Sequence, residues 1–181
     1  MAYPACSTAP GPIAGVTPAP RKLSDGRPNG KLTQDGRLFE GRPDTKVDAV
    51  APELEGLQAL VLNRDTTRIK GNTISFSSPN PVKVLVGFFQ DDDHKRANPP
   101  KLETDRNGND NGQAEPVLTN AISMLQMPKV NIHQYCLPAG NHLLRLPKGI
   151  IMVAGFTSSE IQPRDAGLNG AGNEVDWLFQ K

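Results

Sequence analysis

The hydrophobic residues of this chain fall in short runs, and two of those runs are apolar on both faces. A strand with one wet face alternates apolar and polar residues, because successive side chains point to opposite sides. Ile150-Ile151-Met152-Val153-Ala154-Gly155-Phe156 does not alternate. It predicts a strand in the interior of a sheet that is covered on both sides. Val82-Lys83-Val84-Leu85-Val86-Gly87-Phe88-Phe89 is a second such run, with Val82, Val84, Val86 and Phe88 on one face. Asn72-Thr73-Ile74-Ser75-Phe76-Ser77 alternates cleanly and turns Ile74 and Phe76 inward. Further strands are expected at Leu57–Leu62, Val130–Tyr135, His142–Leu146 and Val175–Phe179. Glu115–Gln126 reads differently. Pro116 suits a first helical turn, Val117, Ala121 and Met124 share a helical face, and Pro128 stops the pattern, so a helix is predicted there.

Turn chemistry separates these runs. Ser78-Pro79-Asn80-Pro81, Pro138-Ala139-Gly140-Asn141 and Pro147-Lys148-Gly149 combine a preset φ with residues that tolerate φ > 0. The chain holds 17 glycines and 17 prolines in 181 residues, a density that a helical bundle would not tolerate and a turn-rich β protein needs. The expected fold is all-β: an antiparallel, jelly-roll-like β-sandwich with one short helix. Residues 1–30 carry six prolines and four glycines among small polar residues, too little apolar surface to offset the entropy of ordering. They are expected to form an extended arm or linker, followed by Asp-Gly or Glu-Gly turns at Asp25-Gly26-Arg27, Asp35-Gly36-Arg37 and Glu40-Gly41-Arg42. The expected division is an arm over residues 1–46 and one sandwich domain over 47–181.

Charge and composition remove several classes of function. Twenty basic residues against 19 acidic ones leave no basic field for a phosphate backbone, so a nucleic-acid partner is not expected. No apolar run approaches the roughly 20 residues that span a bilayer. No basic segment followed by an apolar one marks a signal peptide, and the start MAYPACSTAPGP reads as the boundary of a processed or excised piece. Cys6 and Cys136 lie 130 residues apart. Either they form a bridge that ties the arm to the strand region, or they are two unrelated thiols; their number alone does not decide.

The densest polar feature is Glu103-Thr104-Asp105-Arg106-Asn107-Gly108-Asn109-Asp110-Asn111-Gly112-Gln113-Ala114-Glu115. Calcium takes six to eight oxygen ligands, and Asn107, Asn109 and Asn111 ahead of Gly112 imitate the start of a calcium loop. The imitation fails at the twelfth position, Leu118, so an EF-hand is not expected. A looser structural Ca²⁺ site would draw on Asp105, Asn107, Asn109, Asp110 and Glu115; the alternative is a solvated Asx-rich turn. Asp91-Asp92-Asp93-His94 is a second polar cluster, either an exposed loop or a cation site. His133 and His142 sit in expected strands as ordinary hydrogen-bonded histidines. Glu103, Asp105, Glu115, Asp165 and Asp176 are the carboxylates that a glycosidase or lyase would draw on, but no spacing pairs any two of them. No nucleophile elbow, P-loop or dinucleotide fingerprint occurs. Tyr135 and Trp177 are the aromatic residues in ordered segments that could stack on a sugar ring, against a core role for Trp177 beside Phe179. Arg164 is a possible ion-pair partner for the acidic loop.

Ile74-Ser75-Phe76 followed by Pro81-Val82-Lys83-Val84-Leu85-Val86 resembles a strand pair of galactose-binding-like jelly-roll domains. Leu137-Pro138-Ala139-Gly140-Asn141-His142-Leu143-Leu144-Arg145-Leu146 resembles a hairpin late in that fold. Glu103-Thr104-Asp105 with Gly112-Gln113-Ala114-Glu115-Pro116 is similar to accessory β-sandwich modules of secreted bacterial polysaccharide-degrading proteins. The resemblance covers residues 55–180. It implies an extracellular or cell-surface, non-catalytic module that binds glycan or packs beside a catalytic domain. The ligand contacts expected on that reading are Asp105, Asp110, Gln113 and Glu115, with Tyr135 or Trp177 as a stacking surface. Two other readings stay open. One is an assembly subunit of a surface fibre or matrix, self-associating through its N-terminal arm. The other is a glycosidase or lyase with an Asp/Glu pair.

Overall fold

The structure is a computed structural model and describes residues 27–40, 45–89, 103–104, 115–125, 127–146 and 148–168. The arm before Arg27 and the expected strand Val175–Phe179 lie outside the described residues. In chain order the elements are β1 (Arg27–Lys31), β2 (Phe39–Glu40), β3 (Val47–Val50), β4 (Gln58–Asn63), α1 (Arg64–Lys70), β5 (Asn72–Ser78), β6 (Val82–Phe89), β7 (Glu103–Thr104), β8 (Glu115–Met124), β9 (Val130–Leu137), β10 (Gly140–Leu146), β11 (Ile151–Thr157) and β12 (Arg164–Asp165). They form two sheets. The larger runs β1-β4-β11-β6-β9-β8-β12, with β2 also on β4 and β3 also on β8. The smaller runs β5-β10-β7. Pairing is antiparallel except for β2 on β4 and β12 on β8. The fold is all-β and sandwich-like.

The two doubly apolar runs are the central strands, as their patterns require. β11 lies between β4 and β6, and β6 lies between β11 and β9. One face of β6 (Val82, Val84, Val86, Phe88) joins Ile151, Val153 and Phe156 of β11 in a core closed from above by Ile74 and Phe76 of β5 and Leu144 and Leu146 of β10. Phe76 meets Phe156 edge-on, with ring centroids 5.0 Å apart. The opposite face, with Leu85 and Phe89 of β6 and Met152 and Ala154 of β11, packs into a second core with Leu32, Leu38, Phe39, Val47, Ala51 and Leu54. One sheet therefore separates two cores, and neither of its faces is left wet in the middle.

The second core exists because the large sheet curls back on itself. The segment after β1 reaches the start of β3: Asp35 N–H donates to Val47 O at 2.7 Å, Val47 N–H donates to Gly36 O at 3.0 Å, and Arg37 bridges Lys46. These bonds join the β4 end of the sheet to the β8 end. Among the described residues strand pairing reaches back to Arg27, ahead of Val47.

Three local expectations change. Glu115–Met124 is a strand and not a helix. Its pairing with β9 slips twice, between Pro116 and Leu118 and between Leu118 and Ile122, with Asn120 at φ 50°. Each slip shifts which face a residue occupies. Val117, Leu118, Ala121, Ile122 and Met124 are all buried as a result, in a spacing that imitates a helical stripe. The short helix is α1 instead. Asn63 caps it, its side chain accepting from Thr66 N–H at 2.9 Å, and Gly71 ends it at φ 77°. Finally, neither β5 with β6 nor β9 with β10 forms a hairpin. Each pair of neighbours changes sheet, at Pro79–Pro81 and at Pro138–Ala139.

Candidate functional site

Those two sheet changes meet at one rim. Antiparallel pairing of β10 with β5 sets Gly140 opposite Ser78 and Asn141 opposite Ser77. The two turns become walls of an open groove of about 410 Å³ lined by Ser77, Ser78, Pro79, Ala139, Gly140 and Asn141. Local bonds hold the two turns. The Ser78 hydroxyl donates to Asn80 O at 2.6 Å, and His142 Nε2 lies 2.6 Å from Pro138 O. Gly140 has φ 131°, a backbone setting that side chains disfavour. The lining offers hydroxyls, an amide and backbone groups, and it contains no carboxylate. It can exchange hydrogen bonds with a hydroxyl-rich ligand, but these residues hold no acid–base pair for hydrolysis. Sequence reading marked both turns without pairing them, because only the long-range β5–β10 register brings them together.

A second polar cluster holds the bulge of β8. Asn120 Nδ2 donates to Asp165 Oδ1 at 3.0 Å, Gly167 N–H donates to the same oxygen at 2.8 Å, and Asn120 N–H donates to Asn131 Oδ1 at 3.0 Å. The Asn120 amide, followed by the Gly167 N–H, lowers the Asp165 pKa from the usual carboxylate value. Arg164 forks onto the Glu53 carboxylate, its two guanidinium nitrogens 2.5 and 2.8 Å from the two oxygens, and holds the Glu53 pKa down. Among the described residues Arg164 pairs with Glu53, and Asp165 is a tether for the chain after β11; residues 105–114 of the acidic loop, its expected partner, lie outside the described residues. Among the described residues, no group of three His, Cys, Asp or Glu side chains converges as metal ligands would.

The expected site residues fare differently. Tyr135 is 97% buried in the core between the sheets, and that burial pushes its phenol pKa strongly up. It presents no ring face to a sugar, which corrects the stacking role expected for it. Its strand alternates, and Val130 to Leu137 place Tyr135 on the inner side. Glu115 opens β8 opposite Gln134, and Glu103 in β7 lies opposite Arg145. Asp105, Asn107, Asn109, Asp110, Gln113, Asp176, Trp177 and the Asp91–His94 cluster lie outside the described residues. The excursion that contains most of them leaves β6, touches the small sheet as β7 and returns as β8, so it links the two layers. His142 and His133 are buried. Burial lowers the His133 pKa, with a hydrogen bond to the Asn131 backbone opposing. Cys136, opposite Lys83, is disulfide-bonded, and Cys6 lies outside the described residues.

The chain matches no family model. It matches no curated protein. Among solved structures it is similar to a GH138 enzyme targeting pectin rhamnogalacturonan II, with 38% sequence identity and a TM-score of 0.68. The match covers 92% of this chain and 19% of that enzyme, so the chain spans a minor part of the enzyme's length.

Proposed function

We propose that this chain is a non-catalytic β-sandwich module of a glycan-degrading protein, acting outside the cell by binding pectic glycan or by packing beside a catalytic domain. The observation that carries this reading is the likeness to the GH138 pectin-targeting enzyme: 38% identity over 92% of the chain, in a segment that makes up 19% of that enzyme. The polar groove between Ser77 and Asn141 supports it, since hydroxyl and amide groups suit sugar hydroxyls. Asp105, Asp110, Gln113 and Glu115 are the further contacts in this proposal, as bidentate acceptors and donors, with Trp177 as a stacking surface and Ca²⁺ as a brace for Asp105, Asn107, Asn109, Asp110 and Glu115.

Affinity gel electrophoresis against a panel of pectic and non-pectic polysaccharides tests the proposal, with reducing-sugar release measured in parallel. Retardation in pectic gels without sugar release is expected. Sugar release abolished by Asp105→Asn or Glu115→Gln would replace this reading with the hydrolase or lyase one. Failure to bind any glycan or the remaining part of the parent enzyme would remove it.

A further inference from the structure

The Arg64 side chain, at the start of α1, is 17% exposed, and its Nε is covered. A guanidinium carries five N–H donors and no acceptor, so a covered one needs oxygen partners. Among the described residues Arg64 is poorly supplied. Its Nη1 donates to the Met127 thioether at 3.9 Å, a weak acceptor. Its Nε lies 3.9 Å from Asp65 Oδ1 and makes no hydrogen bond. Arg164, a more exposed arginine of the same chain, has a complete carboxylate fork in Glu53.

The surroundings are cationic. Arg68 follows Arg64 by one helical turn on the same side of α1, and Lys70 ends the helix. Gly149 N–H donates to Thr67 O at 3.3 Å, which sets exposed Lys148 beside this helix. The acids there, among the described residues, are Asp65 and Glu40, the latter opposite Asn63. Ile69, on the same helix, is 59% exposed, the most open large hydrophobic among the described residues. The rim groove has no charged side chain and lies at the far end of β5, about 20 Å away.

The geometry points to Arg64 as a carboxylate-binding residue that takes a uronate of an acidic glycan, forking onto both oxygens as Arg164 does onto Glu53. This inference rests on the proposed glycan-binding role and adds to it a contact that reads charge. A galacturonan carries a carboxylate on each uronate, and the neutral groove offers it no countercharge. A planar guanidinium matches a carboxylate with two parallel N–H···O bonds, which supplies the oxygen acceptors that Arg64 lacks. Arg68, Lys70 and Lys148 add attraction at longer range, and Ile69 gives an apolar surface for the C–H face of a sugar ring.

Affinity gel electrophoresis of the full chain in polygalacturonate and in its fully methyl-esterified form reads the carboxylate directly, because the ester keeps the sugar and removes the charge. The free acid is expected to bind about tenfold or more tightly than the ester. Arg64→Gln should bring the acid down to the level of the ester. Arg64→Lys should recover part of the loss, since a single ammonium cannot fork. Arg68→Gln should cost less affinity and flatten the salt dependence. Thermal melts check that the variants fold, and the comparison of acid with ester in the parent needs no variant. Equal binding of acid and ester, or an Arg64→Gln variant that binds the acid as tightly as the parent, overturns this site and leaves the groove reading standing. An acid preference lost equally with Arg64→Gln, Arg68→Gln and Lys148→Gln marks a diffuse positive field and overturns it too. Retardation by neither form nor by any other glycan removes glycan binding altogether, and this site with it.

Discussion

His133 of β9 stands edge-on to Phe88 of β6, with ring centroids 5.1 Å apart and planes at 87°. The imidazole is 93% buried and its Nδ1 has no hydrogen-bond partner. Burial therefore favours the neutral ring and lowers its pKa in the fold. The unfolded chain, with a histidine pKa near 6.5, binds the proton more readily. Stability from the neutral ring is thus fully present above about pH 6.5 and is lost as pH falls toward the lowered value, with a slope of up to about 1.4 kcal/mol per pH unit. Urea unfolding between pH 5 and 8 should show this slope in the parent and a shallower one in His133→Phe. Equal slopes would mean that His133 is not the buried neutral group.

Gly87 leaves no room for a side chain against the second core. A Cβ there would lie 2.5 Å from Met152 Cγ and 2.8 Å from Val130 Cγ1. Gly87→Val should cost about 1–3 kcal/mol, as overpacking does. Adding Met152→Ala should return part of that loss, a non-additivity visible in a double-mutant cycle of denaturant midpoints. Additive losses would show that Met152 is not the neighbour that clashes.

Much of this core was legible in the sequence, because runs without a polar face have nowhere to go but the middle of a covered sheet. Val82–Phe89 and Ile151–Thr157 occupy that place. β8 was not legible, since its register slips around Leu118 break the two-residue period on which a strand is recognised. The helix α1 did leave local signals, Asn63 before it and Gly71 after it, in a segment too short for apolar periodicity to draw notice. The rim groove had its turns in plain view. The pairing of Ser77 with Asn141, 64 positions along the chain, is a tertiary fact that neither turn encodes alone.

The Arg164–Glu53 fork is exposed, so its removal should change global stability little. Its effect should be local. Ala166 N–H donates to Thr119 O and Leu168 N–H to Asn120 O, both in the segment that Arg164 and Asp165 hold down. Glu53→Gln should speed hydrogen exchange at these two amides while leaving the β6 and β11 amides unchanged. Uniform acceleration would show instead that the fork supports the whole fold.

Cys136 is disulfide-bonded, and the sequence holds one other cysteine, Cys6. Pairing with Cys6 predicts a peptide-map fragment that joins residues near both positions and separates on reduction. Closing a loop of this length is worth about 4–5 kcal/mol in the chain-entropy account, so Cys6→Ser and reduction should lower the melting temperature to the same extent. An intermolecular linkage, visible as a reducible covalent dimer, would refute the pairing.

The central claim is tested most directly by isothermal titration of the intact chain with rhamnogalacturonan II fragments, the glycan targeted by the similar GH138 enzyme. The account predicts saturable binding that weakens when Ser77 and Asn141 are replaced by bulkier apolar residues or when Asp105 and Glu115 are replaced by alanine. Absence of heat and of competition at millimolar fragment, together with no association with a glycan-degrading catalytic domain, would contradict it.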